Sequence, residues 1–284
     1  MTISCAKFIG AALAGIVCAV TLAPVQDAAG ETIRSGGTGS GLAMMKAIGE
    51  GYSAANPDTT IEVLPSLHSS GGIKAVVAKA IDIALIANRL SPEHAAQGLQ
   101  EGACLRTGLI FATSHSIPMG ITLARLPELM ADPNSTWPNG QALKIILRGR
   151  LSSETSFLIK SLPAMKDAFE KAYARSGVPI GATDQENVDL AQRTAGSFAI
   201  MTLLQLRAEN LPLQPLSLEG VTPSRATLAA GTYALPWDIC LVVTTQPSAA
   251  ALRVVDYVRS REGQKILRGF DALPLNEAPP RVAG

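Results

Sequence analysis

The chain has 284 residues, of which 47% are hydrophobic and 17% are charged, a globular composition long enough for two domains of ordinary size. Its 24 Lys and Arg residues nearly balance its 23 Asp and Glu residues, and the formal net charge is +1. This balance excludes a polybasic surface, so we expect no nucleic-acid partner. Any anion that the protein binds must be held by local groups.

The first 30 residues have the pattern of a signal peptide. Lys7 precedes a charge-free apolar run over residues 8–23, and small residues near 28–30 offer a cleavage site. The run is shorter than the roughly 20 residues of a spanning helix, which favours cleavage over a membrane anchor. We therefore expect an exported protein that works in the periplasm.

Cleavage of this segment would leave two cysteines, Cys104 and Cys240. Two cysteines in an oxidising compartment can pair, but the sequence does not show whether these two lie close together. Neither has a CxxC or Cys/His neighbourhood, so the sequence predicts no metal site, no redox role and no cofactor.

The first part of the mature chain alternates strands with glycine-rich turns and helices. Strands are predicted over residues 31–35, 60–67 and 81–87, with helices over 42–57 and around 73–81. This alternation is typical of an α/β domain.

The rest of the chain continues in the same way, with predicted strands over 105–114, 142–148 and 232–245, and predicted helices over 121–130, within 149–174 after a polar turn, and over 249–270. The last of these regions can form one or two amphipathic helices. A fold of the α/β class therefore extends over nearly the whole mature chain.

Three turns combine glycine or arginine with hydroxyl side chains: SGGTGSGL (35–42), HSSGGIK (68–74) and RGRLSSETSF (148–157). Glycines let backbone amides approach a ligand, and a helix that starts after a turn carries positive partial charge there. An arginine fork with hydroxyls and amides can hold a tetrahedral oxyanion. Each turn alone also fits an ordinary helix cap; together they favour an anion site.

The segments 36–57, 68–91, 121–148, 148–158, 196–203 and 261–267 resemble, in this order, those of PstS-type phosphate-binding proteins of ABC transporters. These proteins belong to the type 2 periplasmic binding protein superfamily. The resemblance covers nearly all of residues 31–275. It implies a bilobed α/β fold, with a first lobe over 31–115 plus 233–284, a second lobe over 116–232, and a ligand cleft between the lobes.

The resemblance also implies a function and partners. We expect a monomer, not an enzyme, that captures inorganic phosphate or a similar oxyanion and delivers it to an ABC transporter permease or a membrane sensor. The alternative is a sensory or assembly module of the same fold with altered or lost ligand binding. Ser114 and His115 lack the setting of a nucleophile elbow, so a hydrolase is not supported.

The resemblance assigns ligand-binding residues to all three turns. The first-turn hydroxyl falls on Ser40, with the amide of the next glycine beside it, and the arginine falls on Arg148, with Arg150 as a competitor because the spacing differs by one residue. The full predicted set is Ser40, Gly41, Ser69, Arg148, Ser153, Glu154 and Thr155.

Two positions depart from the family pattern. The aspartate that accepts the proton of hydrogen phosphate is replaced by Ala87, with Asn88 next to it, and a glycine is replaced by Glu154. A carboxylate beside a dry anion site repels the anion unless the anion donates a proton to it. Glu154 therefore either replaces the missing acceptor, or points to solvent, or marks a ligand other than phosphate.

Overall fold

The computed structural model describes residues 30–116 and 120–275. The predicted signal peptide, apart from Gly30, lies outside these residues, as does the tail after residue 275. Within the described ranges, no helix has both the length and the apolar character needed to cross a membrane.

Strands and helices alternate along most of the chain. The strands are β1 (Glu31–Gly37), β2 (Thr59–Val63), β3 (Ile83–Ala87), β4 (Leu99–Thr113), β5 (Lys144–Arg148), β6 (Ile180–Gly181), β7 (Ser197–Thr202), β8 (Gln214–Pro215), β9 (Pro236–Thr244) and β10 (Leu273–Pro274). The helices are α1 (Leu42–Ala55), α2 (His68–Val77), α3 (Pro92–Ala96), α4 (Leu126–Ala131), α5 (Ser153–Ser161), α6 (Met165–Tyr173), α7 (Asp184–Arg193), α8 (Leu203–Ala208), α9 (Arg225–Ala229), α10 (Ala249–Arg259) and α11 (Arg261–Gly269), with a 3-10 helix at Gly39–Gly41.

The strands follow the order β2-β1-β3-β9-β4-β7-β5-β6, and β8 and β10 also pair with β4. The long strand β4 belongs to both halves of this arrangement: it pairs with β9 over residues 99–108 and with β7 over 109–112. We call the parts built on the two halves the first and second lobes. The predicted lobe boundaries at residues 115 and 233 remain a prediction.

The parallel strands determine where a ligand site can form. In the first lobe, β1 runs parallel to β2 and β3; in the second, β5 runs parallel to β6 and β7. The carboxyl ends of β1 and β5 lead directly into the first and third hydroxyl-rich turns. Open α/β sheets bind ligands at such strand ends.

The buried apolar residues form two clusters. The larger includes Trp237 and Tyr233, which are 0% and 3% exposed and pack in the core. The smaller lies under α2 and includes Ile73, Val76 and Ile86. Burial of α2 on this cluster places its first turn over the carboxyl end of β3, because Ser69 accepts a hydrogen bond there.

Cys104 and Cys240 lie directly opposite each other on β4 and β9 and form a disulfide bond. The sequence did not show whether these cysteines lie close together. Strand pairing brings them together although they are 136 positions apart. The bond links the two strands in the central region of the sheet.

Two predicted helices differ from the structure. The helix expected over 121–130 begins only at Leu126, because Ile121 forms a bridge with Leu218 and the intervening residues turn. The helix expected after a polar turn within 149–174 is divided into α5 and α6 at Pro163, which has no amide hydrogen to continue α5.

Candidate functional site

All three hydroxyl-rich turns contribute to one cleft with a volume of about 570 Å³. The helix α7 adds a fourth wall that the sequence analysis did not anticipate. The cleft is lined by Thr38, His68, Ser69, Ser70, Arg148, Gly149, Arg150, Leu151, Ser152, Ser153, Glu154, Ala182 and Asp184. Three predicted site residues are therefore not at its surface: Ser40, Gly41 and Thr155.

The first turn is held together by its own hydrogen bonds. The hydroxyls of Thr38 and Ser40 lie 3.1 Å apart, and both side chains are buried. The amide of Gly41 donates to the carbonyl of Thr38 at 3.2 Å. Thr38 is the residue of this turn that lines the cleft, while Ser40 supports it from behind.

The second turn presents a helix N-terminus to the cleft. Helix α2 begins at His68, and no side chain caps its first turn. The Oγ of Ser69 accepts a hydrogen bond from the amide of Ala87 at 2.9 Å, which leaves the hydroxyl hydrogen available for a ligand. His68 is exposed and lies in the cleft wall.

The third turn places Arg148 at the end of β5. Its side chain is 2% exposed. The Ser152 hydroxyl caps α5 by accepting from the amide of Thr155, whose own hydroxyl donates to the carbonyl of Gly149. Thr155 therefore holds the loop in shape, and Ser153 lies at the cleft surface.

Backbone carbonyls and two carboxyl groups surround the guanidinium of Arg148. It donates to the carbonyls of Gly181, at 3.2 Å, and Thr183. Its Nε lies 3.6 Å from Glu154 Oε2, and its Nη2 lies 3.5 Å from Asp184 Oδ1. One buried cation is therefore flanked by two carboxyl groups.

The competing arginine, Arg150, has a different environment. It is about half exposed, donates to Glu170 at 2.6 Å, and stacks over the ring of Tyr173 at 4.2 Å. These contacts hold the guanidinium of Arg150 at the rim of the cleft. Arg148, in contrast, is buried beside the hydroxyl-bearing turns.

Glu154 does not point to solvent. It is 3% exposed and faces Arg148, which removes one of the alternatives left by the sequence. Ala87, at the position of the missing aspartate, is 9% exposed, and its methyl group cannot accept a proton.

Asp184 is a charged residue of the cleft that the sequence analysis did not predict. It is the first residue of α7 and is 5% exposed. Burial raises the pKa of its carboxyl group to about 6, reinforced by the charge of Glu154 and opposed by Arg148 and by a hydrogen bond from the amide of Gly39. In the sequence, Asp184 looks like an ordinary acidic residue in a first helical turn.

The same helix start connects the two lobes. The side-chain amide of Gln185 donates to the carbonyl of Gly39 at 3.1 Å. A side chain at Gly39 would lie 2.6 Å from both Asp184 Oδ2 and Gln185 Oε1. Only glycine fits at this position, because the two α7 side chains press against the backbone of the first lobe.

A smaller cavity, of about 350 Å³, lies beside the disulfide bond. Its Arg89 is paired with Glu101, and no hydroxyl-rich turn reaches it. The interlobe cleft is the better candidate, because it brings a buried cation together with several hydroxyl donors.

A family model described as a PBP superfamily domain matches residues 23–262, and the chain belongs to this superfamily. Within it, the phosphate-binding protein PstS 2 of Streptococcus pneumoniae serotype 4 is 27% identical over 101 residues, or 36% of this chain and 34% of the relative. The match thus spans about a third of the length of that curated relative.

Solved structures agree in fold. A phosphate ABC transporter substrate-binding protein of Clostridium perfringens, crystallised with bound phosphate, covers 86% of this chain and 99% of its own, with a TM-score of 0.71 and 16% identity. An ABC-type phosphate transport receptor of Vibrio cholerae covers 86% and 99%, with a TM-score of 0.58 and 14% identity.

These similarities confirm the bilobed type 2 fold and support the resemblance to the PstS type. The matching proteins are binding proteins rather than enzymes, in agreement with the prediction for this chain.

Proposed function

We propose that this protein is an extracytoplasmic solute-binding protein that captures inorganic phosphate, or a similar tetrahedral oxyanion, between its lobes. The observation that carries the proposal is the buried guanidinium of Arg148, surrounded by hydroxyl-bearing turns from both lobes. In a dry site such a cation binds an oxyanion through charge-assisted hydrogen bonds. The curated relative and both solved structures are named for phosphate.

The donors of the cleft are divided between the lobes. Thr38, Ser69 and Ser70 lie on the first lobe, and Ser153 and Arg148 on the second. An anion that contacts both sets favours the closed arrangement by its differential contacts. We propose that the closed form is then recognised by an ABC transporter permease in the periplasm, where the predicted signal peptide would direct the protein.

Glu154 supports the choice of a proton-bearing anion. Its buried carboxylate lies beside the one buried cation of the cleft walls described here. It would repel a fully ionised anion but accept a hydrogen bond from a protonated one. We therefore propose Glu154 as the replacement for the aspartate missing at Ala87, and phosphate over sulfate as the ligand.

A second candidate function is a sensory or assembly module with an altered ligand. The observation that favours it is the second carboxyl group beside Arg148, that of Asp184. Two carboxyl groups against one guanidinium could leave the cleft unable to hold a free anion.

Titration calorimetry on the mature protein, freed of co-purified ligand by unfolding and refolding, separates the two candidates. One-to-one phosphate binding with sulfate excluded supports a transport receptor. No binding of phosphate at pH 5 or pH 8, together with retained binding to a membrane partner, supports the sensory or assembly module.

A further inference from the structure

Asp184 contacts two hydrogen-bond donors that would bind an oxyanion between the lobes. Its Oδ1 lies 3.5 Å from Nη2 of Arg148 in the second lobe, and its carboxyl group accepts a hydrogen bond from the amide of Gly39 in the first. A carboxylate is itself a planar oxyanion, held here on the end of a side chain. The carboxyl group of Asp184 thus makes the contacts that a small bound anion would make with Arg148 and the Gly39 amide.

The neighbouring contacts of the α7 start hold Asp184 in position. The residue is 5% exposed and starts α7, whose N-cap Thr183 accepts a hydrogen bond from the amide of Glu186. The Thr183 carbonyl also accepts from Arg148. The helix start and the arginine therefore hold each other in place beside the carboxyl group of Asp184.

Resting on the proposed function, we infer that Asp184 is the specificity-determining residue of the cleft: a tethered anion that competes with the incoming oxyanion for Arg148 and the Gly39 amide. An ionised Asp184 must be displaced by the ligand, whereas a protonated Asp184 releases the arginine and can donate a hydrogen bond to the ligand. The cleft therefore binds an oxyanion better when Asp184 carries a proton, and an ionised Asp184 opposes a dianion such as sulfate more strongly than a monoanion.

The charges around Asp184 agree with this role. Among the described residues, Arg148 is the cation paired with it, and Glu154 adds a second negative charge from α5. With both carboxyl groups ionised, this buried trio has a net charge of −1, so a further anion is opposed by electrostatic repulsion. The other charged or titratable groups near it are Glu186 on its own helix, Glu209 on the far side of Gln185, and His68 and Arg150 in the cleft wall.

The test compares phosphate affinity in the wild-type chain and in Asp184→Asn, which keeps the shape of the side chain. The control is Asp189→Asn, an exposed acidic residue on the same helix. Calorimetry is done at pH 5 and pH 8, and the ratio of the two dissociation constants is taken at each pH. The ratio removes the ionisation of phosphate itself, because it is common to the two proteins.

We expect Asp184→Asn to bind phosphate about tenfold more tightly than the wild type at pH 8, with a ratio close to one at pH 5, and to gain sulfate binding. Asp189→Asn should match the wild type. Asp184→Ser, which also suits a helix start, gives the same readout if the asparagine variant does not fold.

Two outcomes overturn the inference while the proposed function stands: equal affinity in Asp184→Asn and the wild type at both pH values, or weaker phosphate binding in a folded Asp184→Asn. If the wild type and both Asp184 variants bind no phosphate at either pH, the proposed function itself fails, and the inference fails with it.

Discussion

Arg148 and Glu154 form a buried pair at the N-terminus of α5. Nε of Arg148 lies 3.6 Å from Oε2 of Glu154, and the two side chains are 2% and 4% exposed. The arginine lies at the end of β5 and the glutamate in the first turn of the following helix. A strand end and a helix start thus bring a cation and a carboxyl group to the same wall of the cleft. This pair, with Asp184 on its other side, determines the charge that a ligand meets.

Arg148→Lys should lower phosphate affinity by about a hundredfold, because a lysine keeps the charge but cannot reproduce the planar fork of hydrogen bonds. The matched control is Arg150→Lys at the exposed rim, which we expect to stay within about threefold of the wild type. Calorimetry with phosphate measures both. If the Arg150 variant loses binding and the Arg148 variant does not, the assignment of the arginine is reversed.

Glu154→Gln removes the proposed proton acceptor but keeps the side-chain volume. We expect phosphate to bind more weakly, by about tenfold, and sulfate to bind better, because the neutral amide no longer repels a dianion. Glu128→Gln, at a surface position, serves as the control. Unchanged phosphate affinity in Glu154→Gln would remove Glu154 from the role of acceptor.

The raised pKa of Asp184 predicts a pH dependence of stability. Its carboxyl group titrates near 6 in the folded chain and at an ordinary value of 3.8 when unfolded. The folded state therefore binds the proton more tightly, so this stabilising contribution is complete below pH 3.8 and is lost as the pH rises through 6. Asp184→Asn should raise Tm by several degrees at pH 8 and by less at pH 5, as measured by differential scanning calorimetry.

A gain in Tm that is the same at both pH values would show that the carboxyl group of Asp184 does not titrate in this range. Asp189→Asn should change Tm little at either pH, because that side chain is exposed.

Gly39→Ala tests the contact between the lobes. The added methyl group would lie 2.6 Å from side-chain oxygens of Asp184 and Gln185 and 2.7 Å from the Cβ of Asp184, so the start of α7 must shift away from Gly39. We expect a larger radius of gyration by small-angle X-ray scattering in the presence of phosphate, and about tenfold weaker phosphate binding. Gly269→Ala, where nothing lies within 4 Å of the new methyl group, should leave both unchanged. A Gly39→Ala variant as compact as the wild type would contradict the contact.

The disulfide bond between Cys104 and Cys240 should contribute to stability. It closes a loop over a sequence separation of 136 residues, for which a stabilisation of about 2–4 kcal/mol is typical. The double variant Cys104→Ser with Cys240→Ser should therefore have a Tm lower by roughly 5–15 °C. The wild type with a strong reductant should behave in the same way, and equal melting of all three samples would contradict this.

Local patterns predicted much of the fold. The strands β1, β2, β3 and β5 and the helix α1 agree with the sequence analysis to within a few residues, because their apolar periodicity and glycine-rich ends act locally. The start of β4 and the disulfide bond could not be predicted in this way, since both depend on pairing with β9, far along the chain.

The site was predicted less completely than the fold. Arg148, Ser69, Ser153 and Glu154 do line one cleft, but Thr38 replaces Ser40 at its surface. Asp184 was missed, because its role comes from the tertiary approach of α7 to Gly39, and an acidic residue in a first helical turn has an ordinary local explanation.

The most direct test of the account is a crystal structure of the mature protein grown with phosphate at pH 5. We predict one phosphate in the interlobe cleft, bonded to Arg148 and to the hydroxyls of Ser69 and Ser153, with a carboxyl group of Glu154 or Asp184 at hydrogen-bond distance. A cleft in which Asp184 still occupies Arg148 and the Gly39 amide, with no phosphate beside them at saturating concentration, would contradict phosphate capture by this site.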